Sequence, residues 1–192
     1  MLAPVYDVIT LPLVGVSERV VAFTNAANGS KVLDVATGTG RQAFAFARRG
    51  YDVTGVDLTE SMLEIAQKHN KDGLVKFEAG DATQLRFPDH SFEVSCVSFA
   101  LHDMPPGVRR QVLKEMARVT MAKGKLVIVD YGLPRNKVGR VLVYRLVTLY
   151  EGPYYAEFIG SDLQALLADT GINVIETVPV LLGAGRILGA RI

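Results

Sequence analysis

VLDVATGTGR, residues 32–41, places one charge, Asp34, inside an apolar β-type run and follows it with two closely spaced glycines. Gly38 and Gly40 permit backbone dihedrals that a Cβ forbids and let a ligand approach the main chain. A helix beginning near Arg41 adds free N–H groups and a positive dipole end. Strand, glycine turn and helix start together predict a nucleotide-type binding loop, with a carboxylate set just behind it.

The same alternation continues outward. Strands are predicted at 31–36, 51–57, 74–82, 91–100 and 124–132, the last entered through a turn at Gly124. Helices are predicted at 41–49, 59–70, 107–120 and 161–171, with stops at Gly50 and Gly171. Thr59 or Ser61 offers an N-cap, and Ser61 with Glu64 fits a capping box. Ser161 or Asp162 caps the last helix. Val108, Val112, Leu113, Met116 and Val119 share one face of the helix at 107–120. Two final strands, at 172–180 and 184–192, are joined too tightly for a crossover helix, so a hairpin is expected. The prediction is a doubly wound α/β fold. Its seven-stranded sheet is mostly parallel, with one antiparallel strand near the C-terminus.

The chain has 192 residues, 49% hydrophobic and 21% charged, which suits one globular domain over 1–192. Within it, 1–30 form an N-terminal cap, 31–132 a cofactor-binding core, 133–160 a substrate-side insertion, and 161–192 a C-terminal helix and strands. The net charge is +1, with Lys and Arg spread along the chain, so nucleic acid is not expected as a partner. The one cysteine, Cys96, excludes a cysteine-cluster metal site and reads as a small buried residue in a reducing cytoplasm. No metal is expected. The N-terminus has no basic lead and does not resemble a signal peptide. No apolar run approaches the ~20 residues that span a bilayer. Peripheral membrane contact stays open, as does the choice between monomer and homodimer.

Three carboxylates end predicted strands, where open parallel sheets bind ligands. Asp34 stands behind the glycine loop. Asp57, in GVDL, is placed to accept two ribose hydroxyls. Asp81, in AGDA, is placed to read the amino edge of an adenine. An NAD(P)-dependent oxidoreductase is the alternative, because Gly38, Gly40 and Ala43 satisfy G-x-G-x-x-A. Against it, Asp34 is a poor neighbour for a pyrophosphate and suits a cofactor with a cationic amino-acid end. Asp81 has no part in the dinucleotide pattern.

VLDVATGTG, then GVDLTESML, then AGDATQLRFPDHSFEV, in that order and spacing, resemble the class I S-adenosylmethionine-dependent methyltransferases. The similarity is greatest to the ubiquinone/menaquinone biosynthesis group and covers roughly residues 30–132. The resemblance implies a Rossmann-like methyltransferase fold and S-adenosyl-L-methionine as cofactor; a small, apolar or quinone-like acceptor follows if residues 138–158 line a pocket. It implies that Asp34 and the backbone of Ala36, Thr37, Gly38 and Gly40 hold the methionine end. Asp57 takes the ribose hydroxyls, and Leu58 and Met62 flank the adenine. In the turn of Gly80, Asp81 and Ala82, Asp81 bonds the adenine amino group with the Ala82 N–H nearby. Phe99 carries the sulfonium side. Ala36 stands where many members have a glycine, and no role is assigned to Arg41. A non-catalytic S-adenosylmethionine-binding partner protein is a further alternative.

Methyl transfer from a sulfonium is an in-line displacement, and the protein mainly positions and desolvates. If the acceptor must lose a proton, His102, in FALHDMPP, is the candidate base. It reads equally as a loop histidine hydrogen-bonded to a neighbour or to Asp103. The resemblance also implies that Tyr6 and Asp7 belong to an N-terminal gate over the cofactor, and Tyr6 is a candidate on the substrate side. Val138, Val141, Leu142, Arg145, Leu146 and Leu149 fall on one helical face. With Tyr150, Tyr154, Tyr155 and Phe158 they read as a pocket wall, as core or as a dimer seam.

Overall fold

The computed structural model describes residues 14–149 and 151–192, so Tyr6, Asp7 and Tyr150 lie outside the described residues. In chain order the strands are β1 (Lys31–Val35), β2 (Asp52–Asp57), β3 (Val75–Ala79), β4 (Phe92–Ser98), β5 (Thr120–Tyr131), β6 (Asn173–Val180) and β7 (Gly185–Arg191). The helices are α1 (Val14–Thr24), α2 (Arg41–Ala47), α3 (Glu60–His69), α4 (Pro106–Val119), α5 (Lys137–Thr148), α6 (Tyr155–Gly160) and α7 (Leu163–Asp169). One short 3-10 turn, Leu101–Asp103, follows β4.

The seven strands form one sheet in the order β3-β2-β1-β4-β5-β7-β6. The first five pair in parallel, and β7 runs antiparallel between β5 and β6. The short link after β6 therefore does make a hairpin. Pro179 sits in β6, an edge strand, where its missing N–H costs no interior ladder bond.

Period-two alternation splits the apolar residues of the central strands between two cores. Leu33, Val35, Val97, Leu126 and Ile128 pack on one face with Val112, Leu113 and Met116 of α4 and with α6 and α7. Val32, Val94, Cys96, Val127 and Val129 pack on the other with Val16, Val20 and Val21 of α1 and Ala43 and Phe46 of α2. Cys96 is fully buried, as expected of it. Reversal of strand order between β1 and β4 leaves a crevice beyond their carboxyl ends.

Three local expectations are corrected. Ser61 lies inside α3, which starts at Glu60 after Thr59, so no Ser61–Glu64 capping box forms. Gly124 is not a turn. β5 begins at Thr120, and its register with β4 shifts from Phe92–Thr120 to Val94–Lys125, which places Gly124 in a bulge. Val108 is partly exposed, while the rest of its predicted α4 face is buried. At α7, Asp162 is the cap, accepting from the N–H groups of Gln164 and Ala165.

Candidate cofactor and acceptor site

The loop between β1 and α2 is held from below by Asp34. Asp34 is buried, and Thr37 Oγ1 donates to its Oδ2 at 2.6 Å. Burial raises its pKa to about 7, against the opposing pull of the Thr37 hydroxyl. Thr37 reaches this position because Gly55 of β2 lies beside it. A Cβ at Gly55 would sit 2.8 Å from Thr37 Oγ1. The loop then turns through left-handed φ values at Ala36 (54°), Gly38 (56°) and Gly40 (84°). At Gly40 a side chain is excluded twice, by φ and by Phe77 Cζ, 2.7 Å from where a Cβ would lie.

Asp57 clasps the loop from β2. The Gly38 N–H donates to its Oδ2 at 2.7 Å, and the Thr59 N–H donates to its Oδ1 at 2.9 Å. A carboxylate accepts about four hydrogen bonds, so about half of its capacity is left for ligand donors. Gly80 N–H donates to the Asp57 carbonyl at 3.0 Å, which ties the AGDA turn to the end of β2. Asp81 is exposed and forms its own turn. Its Oδ1 accepts from the Thr83 N–H at 2.8 Å and the Thr83 hydroxyl at 2.7 Å, which holds its carboxyl below the usual range.

A cavity of about 1030 Å³ occupies the crevice. It brings together Asp34, Ala36, Thr37, Gly38, Asp57, Leu58, Met62, Phe99 and His102, all named from the sequence, and Arg41 as well. Gly40, Gly80, Asp81, Ala82 and Tyr154 are not in its wall. Gly40 is buried at the start of α2. Tyr154 precedes α6 and is partly exposed, whereas its neighbour Tyr155 is buried in an aromatic cluster with Tyr131. The far wall is apolar, made by Val143, Leu146 and Val147 of α5 with Met104. The stripe expected on α5 divides differently. Val138, Val141, Leu142 and Leu149 are exposed and outside the wall, and Leu146 alone of those apolar residues reaches it.

Non-glycine residues at three strand ends carry strain. Ala36 after β1, Phe99 after β4 (φ 50°) and Leu181 after β6 (φ 50°) all line the cavity. Such backbone concentrates where a site over-determines it.

His102 does not pair with Asp103. Its Nδ1–H donates to Asp130 Oδ1 at 2.7 Å, and its Nε2–H donates to Glu151 Oε2 at 3.1 Å. Its backbone N–H donates to Asp130 Oδ2 at 3.2 Å. Burial opposes the charge, yet Asp130 and Glu151 raise the His102 pKa to about 10. With an acceptor-only carboxylate at each ring nitrogen, His102 is an imidazolium without a free lone pair, and it is not built to take a proton. Burial raises the Glu151 carboxyl, but His102 and the Tyr131 hydroxyl, which donates to its Oε1 at 2.7 Å, bring it below the usual range.

Asp130, Tyr131 and Glu151 were not singled out in the sequence. LVIVDY around Asp130 carries the same signal as VLDV around Asp34, a charge in a buried strand. Glu151 gave none. Buried Arg109 holds the turn under this cluster, donating to the carbonyls of Leu101 at 2.9 Å and Met104 at 3.0 Å.

The donor set suits a nucleoside with a cationic amino-acid end. A buried, unusually basic carboxylate lies behind the loop, a half-used carboxylate closes β2, and no pyrophosphate-sized cluster of cations is needed. Comparison with known proteins agrees. Residues 32–124 match the model of a methyltransferase domain family. The chain is 39% identical over 152 residues to the demethylmenaquinone methyltransferase of Thermotoga maritima, covering 77% of this chain and 64% of the relative. It is 39% identical over 176 residues to that of Paenarthrobacter aurescens, covering 89% and 63%. It thus spans less than two thirds of either curated relative. A SAM-dependent methyltransferase of Aquifex aeolicus shares the fold with a TM-score of 0.73 at 24% identity, over 94% of this chain and 91% of that one. These matches give the nicotinamide alternative no support.

Proposed function

We infer that this chain, which belongs to the class I S-adenosylmethionine-dependent methyltransferases, transfers the cofactor's methyl group to a flat, apolar, quinone-like small molecule. The observation that carries this reading is the single cavity. It runs from Asp34 and Asp57 at one end to Val143, Leu146 and Val147 at the other, with no wall between a polar half and an apolar half.

S-adenosylmethionine, when bound, supplies a methyl group already activated on a sulfonium. The residues of this chain do the rest. The backbone of Ala36 to Gly40 cradles the methionine end over Asp34, whose carboxylate favours a nearby cation. Asp57 accepts the ribose hydroxyls with its remaining lone pairs. Leu58 and Met62 flank the adenine, and the exposed Asp81, with Gly80 and Ala82, reads its amino edge from the rim. Helix α1, in the N-terminal cap expected from the sequence, contributes Val16 and Ser17 to the cavity lining. Phe99 and the apolar α5 wall exclude water from the transfer, which strengthens every local electrostatic contact. His102 acts as a fixed cation that seats Glu151, so acceptor deprotonation, where needed, does not fall to His102. The buried, unpaired Cys96 fits a reducing cytoplasm.

The test is methyl transfer from isotopically labelled S-adenosylmethionine to a reduced naphthoquinone carrying an isoprenoid chain, beside a panel of polar catechols. Label is expected in the naphthoquinol. Tight S-adenosylmethionine binding with no turnover on any acceptor would instead make the chain a non-catalytic binder.

A further inference from the structure

Helix α5 wears its apolar side outward. Val138, Val141, Leu142 and Leu149 are 80%, 55%, 57% and 83% exposed. At 100° per residue, positions 138, 141, 142, 145 and 149 fall within an arc of about 100°. The opposite side, Val143 and Val147, lines the cavity. A helix covering a soluble core has the reverse pattern, and an exposed apolar stripe of this kind marks an interaction site. The helix does not depend on a partner to form its first turn, because Asn136 Oδ1 accepts from the Gly139 N–H at 2.6 Å.

Charge says what the stripe meets. From Gly132 to Leu149 the chain carries Arg135, Lys137, Arg140 and Arg145 and no acidic residue. A two-fold contact between two copies would bring together two helices that carry only basic charges, with no carboxylate on either to pair them. An anionic bilayer surface supplies both complements, phosphates for the basic residues and acyl chains for the stripe. No helix among the described residues is long and apolar enough to cross a membrane, so the contact is interfacial.

We propose that α5 lies in the headgroup layer of an anionic membrane, with Val138, Val141, Leu142 and Leu149 inserted. The cavity behind Val143, Leu146 and Val147 then opens next to the bilayer, so that a membrane-dissolved acceptor enters without crossing water. This deepens the reading of the acceptor as lipophilic and rests on it.

Flotation of the full chain with phosphatidylglycerol-rich vesicles, against pure phosphatidylcholine vesicles, tests it. Two surface variants are run beside wild type, the triple Val138→Ser/Leu142→Ser/Leu149→Ser and the double Lys137→Glu/Arg145→Glu. Wild type is expected to partition at least about tenfold more strongly onto the anionic vesicles, less so at high salt. Each variant should lose about tenfold or more while its melting temperature and S-adenosylmethionine affinity stay at wild-type values. Absence of wild-type partition, or equal partition of wild type and both variants, overturns the proposal. So does a dimer in sedimentation velocity that the serine variant dissolves, since a second copy would then cover the face. Loss of S-adenosylmethionine binding by wild type would strike the cofactor reading alone and leave the partition result to be judged separately.

Discussion

Asp34 and Asp130 occupy matching places and do different work. Each is a buried carboxylate in an apolar strand bordering the crevice, one in β1 and one in β5. Asp34 has a neutral hydroxyl partner, Thr37, and burial raises its pKa to about 7, so that it titrates near neutral pH. Asp130 has a cationic partner, His102, and the register places Arg186 of β7 opposite it. The first carboxylate is left short of positive charge, which suits it to a cationic ligand. The second is already neutralised, which suits it to structure. A buried acid is thus a binding feature or a building feature according to what charge its own chain supplies.

The largest expected effect attacks the neutralised side. His102→Ala strands Asp130 and Glu151 together, and chemical denaturation should show a loss of roughly 3–5 kcal/mol. His102→Asn should lose less and should retain methyl transfer once folded. An activity loss specific to His102→Asn, with unchanged stability, would restore His102 as a base.

The same cluster predicts a pH dependence. His102 rises from 6.5 to about 10 in the fold, so between those values the folded chain holds a proton that the unfolded chain has released. Its contribution is complete below about pH 6.5 and is lost as the pH climbs toward 10, at up to ~1.4 kcal/mol per pH unit. Asp34 acts with the same sign lower down. Its rise from 3.8 to about 7 makes the fold retain a proton there, so stability falls as pH rises across that window. Denaturation midpoints of wild type and His102→Asn from pH 6 to 10 should converge at the alkaline end.

On the ligand side, Asp57→Ala should weaken S-adenosylmethionine binding by ~1–3 kcal/mol in calorimetry, because ribose hydroxyls lose their acceptor. Leu146→Ser, on the apolar wall, should raise the acceptor KM by ~1 kcal/mol equivalent and leave cofactor affinity alone. The smallest effect is at Ala36. Its left-handed φ strains an alanine, so Ala36→Gly should raise stability by ~0.5 kcal/mol, net of the chain entropy that glycine adds.

The sheet was legible because alternation and glycine stops are local properties, and the hairpin because its link is short. Asp34, Asp57 and the glycines were legible because a charge or a glycine in an apolar strand is conspicuous on its own. Asp130 carried that same mark in LVIVDY and was passed over, since no glycine loop followed it. Glu151 was invisible, because only the folded chain brings it to His102 across 49 positions. The α5 stripe was seen as a stripe, but periodicity reports that residues share a face and not which way the face points. Ser61 failed as a cap for a related reason. The helix begins two residues earlier than a Ser61 cap requires, after Thr59, whose N–H donates to Asp57.

The central claim is that one cavity holds cofactor at its polar end and acceptor at its apolar end. Steady-state methyl transfer to an isoprenoid naphthoquinol, with Asp57→Ala and Leu146→Ser compared in the same assay, tests it most directly. The expected result is a crossed pattern, with Asp57→Ala raising the KM for S-adenosylmethionine alone and Leu146→Ser raising the KM for the acceptor alone. Equal effects of both variants on both constants, or no transfer by wild type, would contradict it.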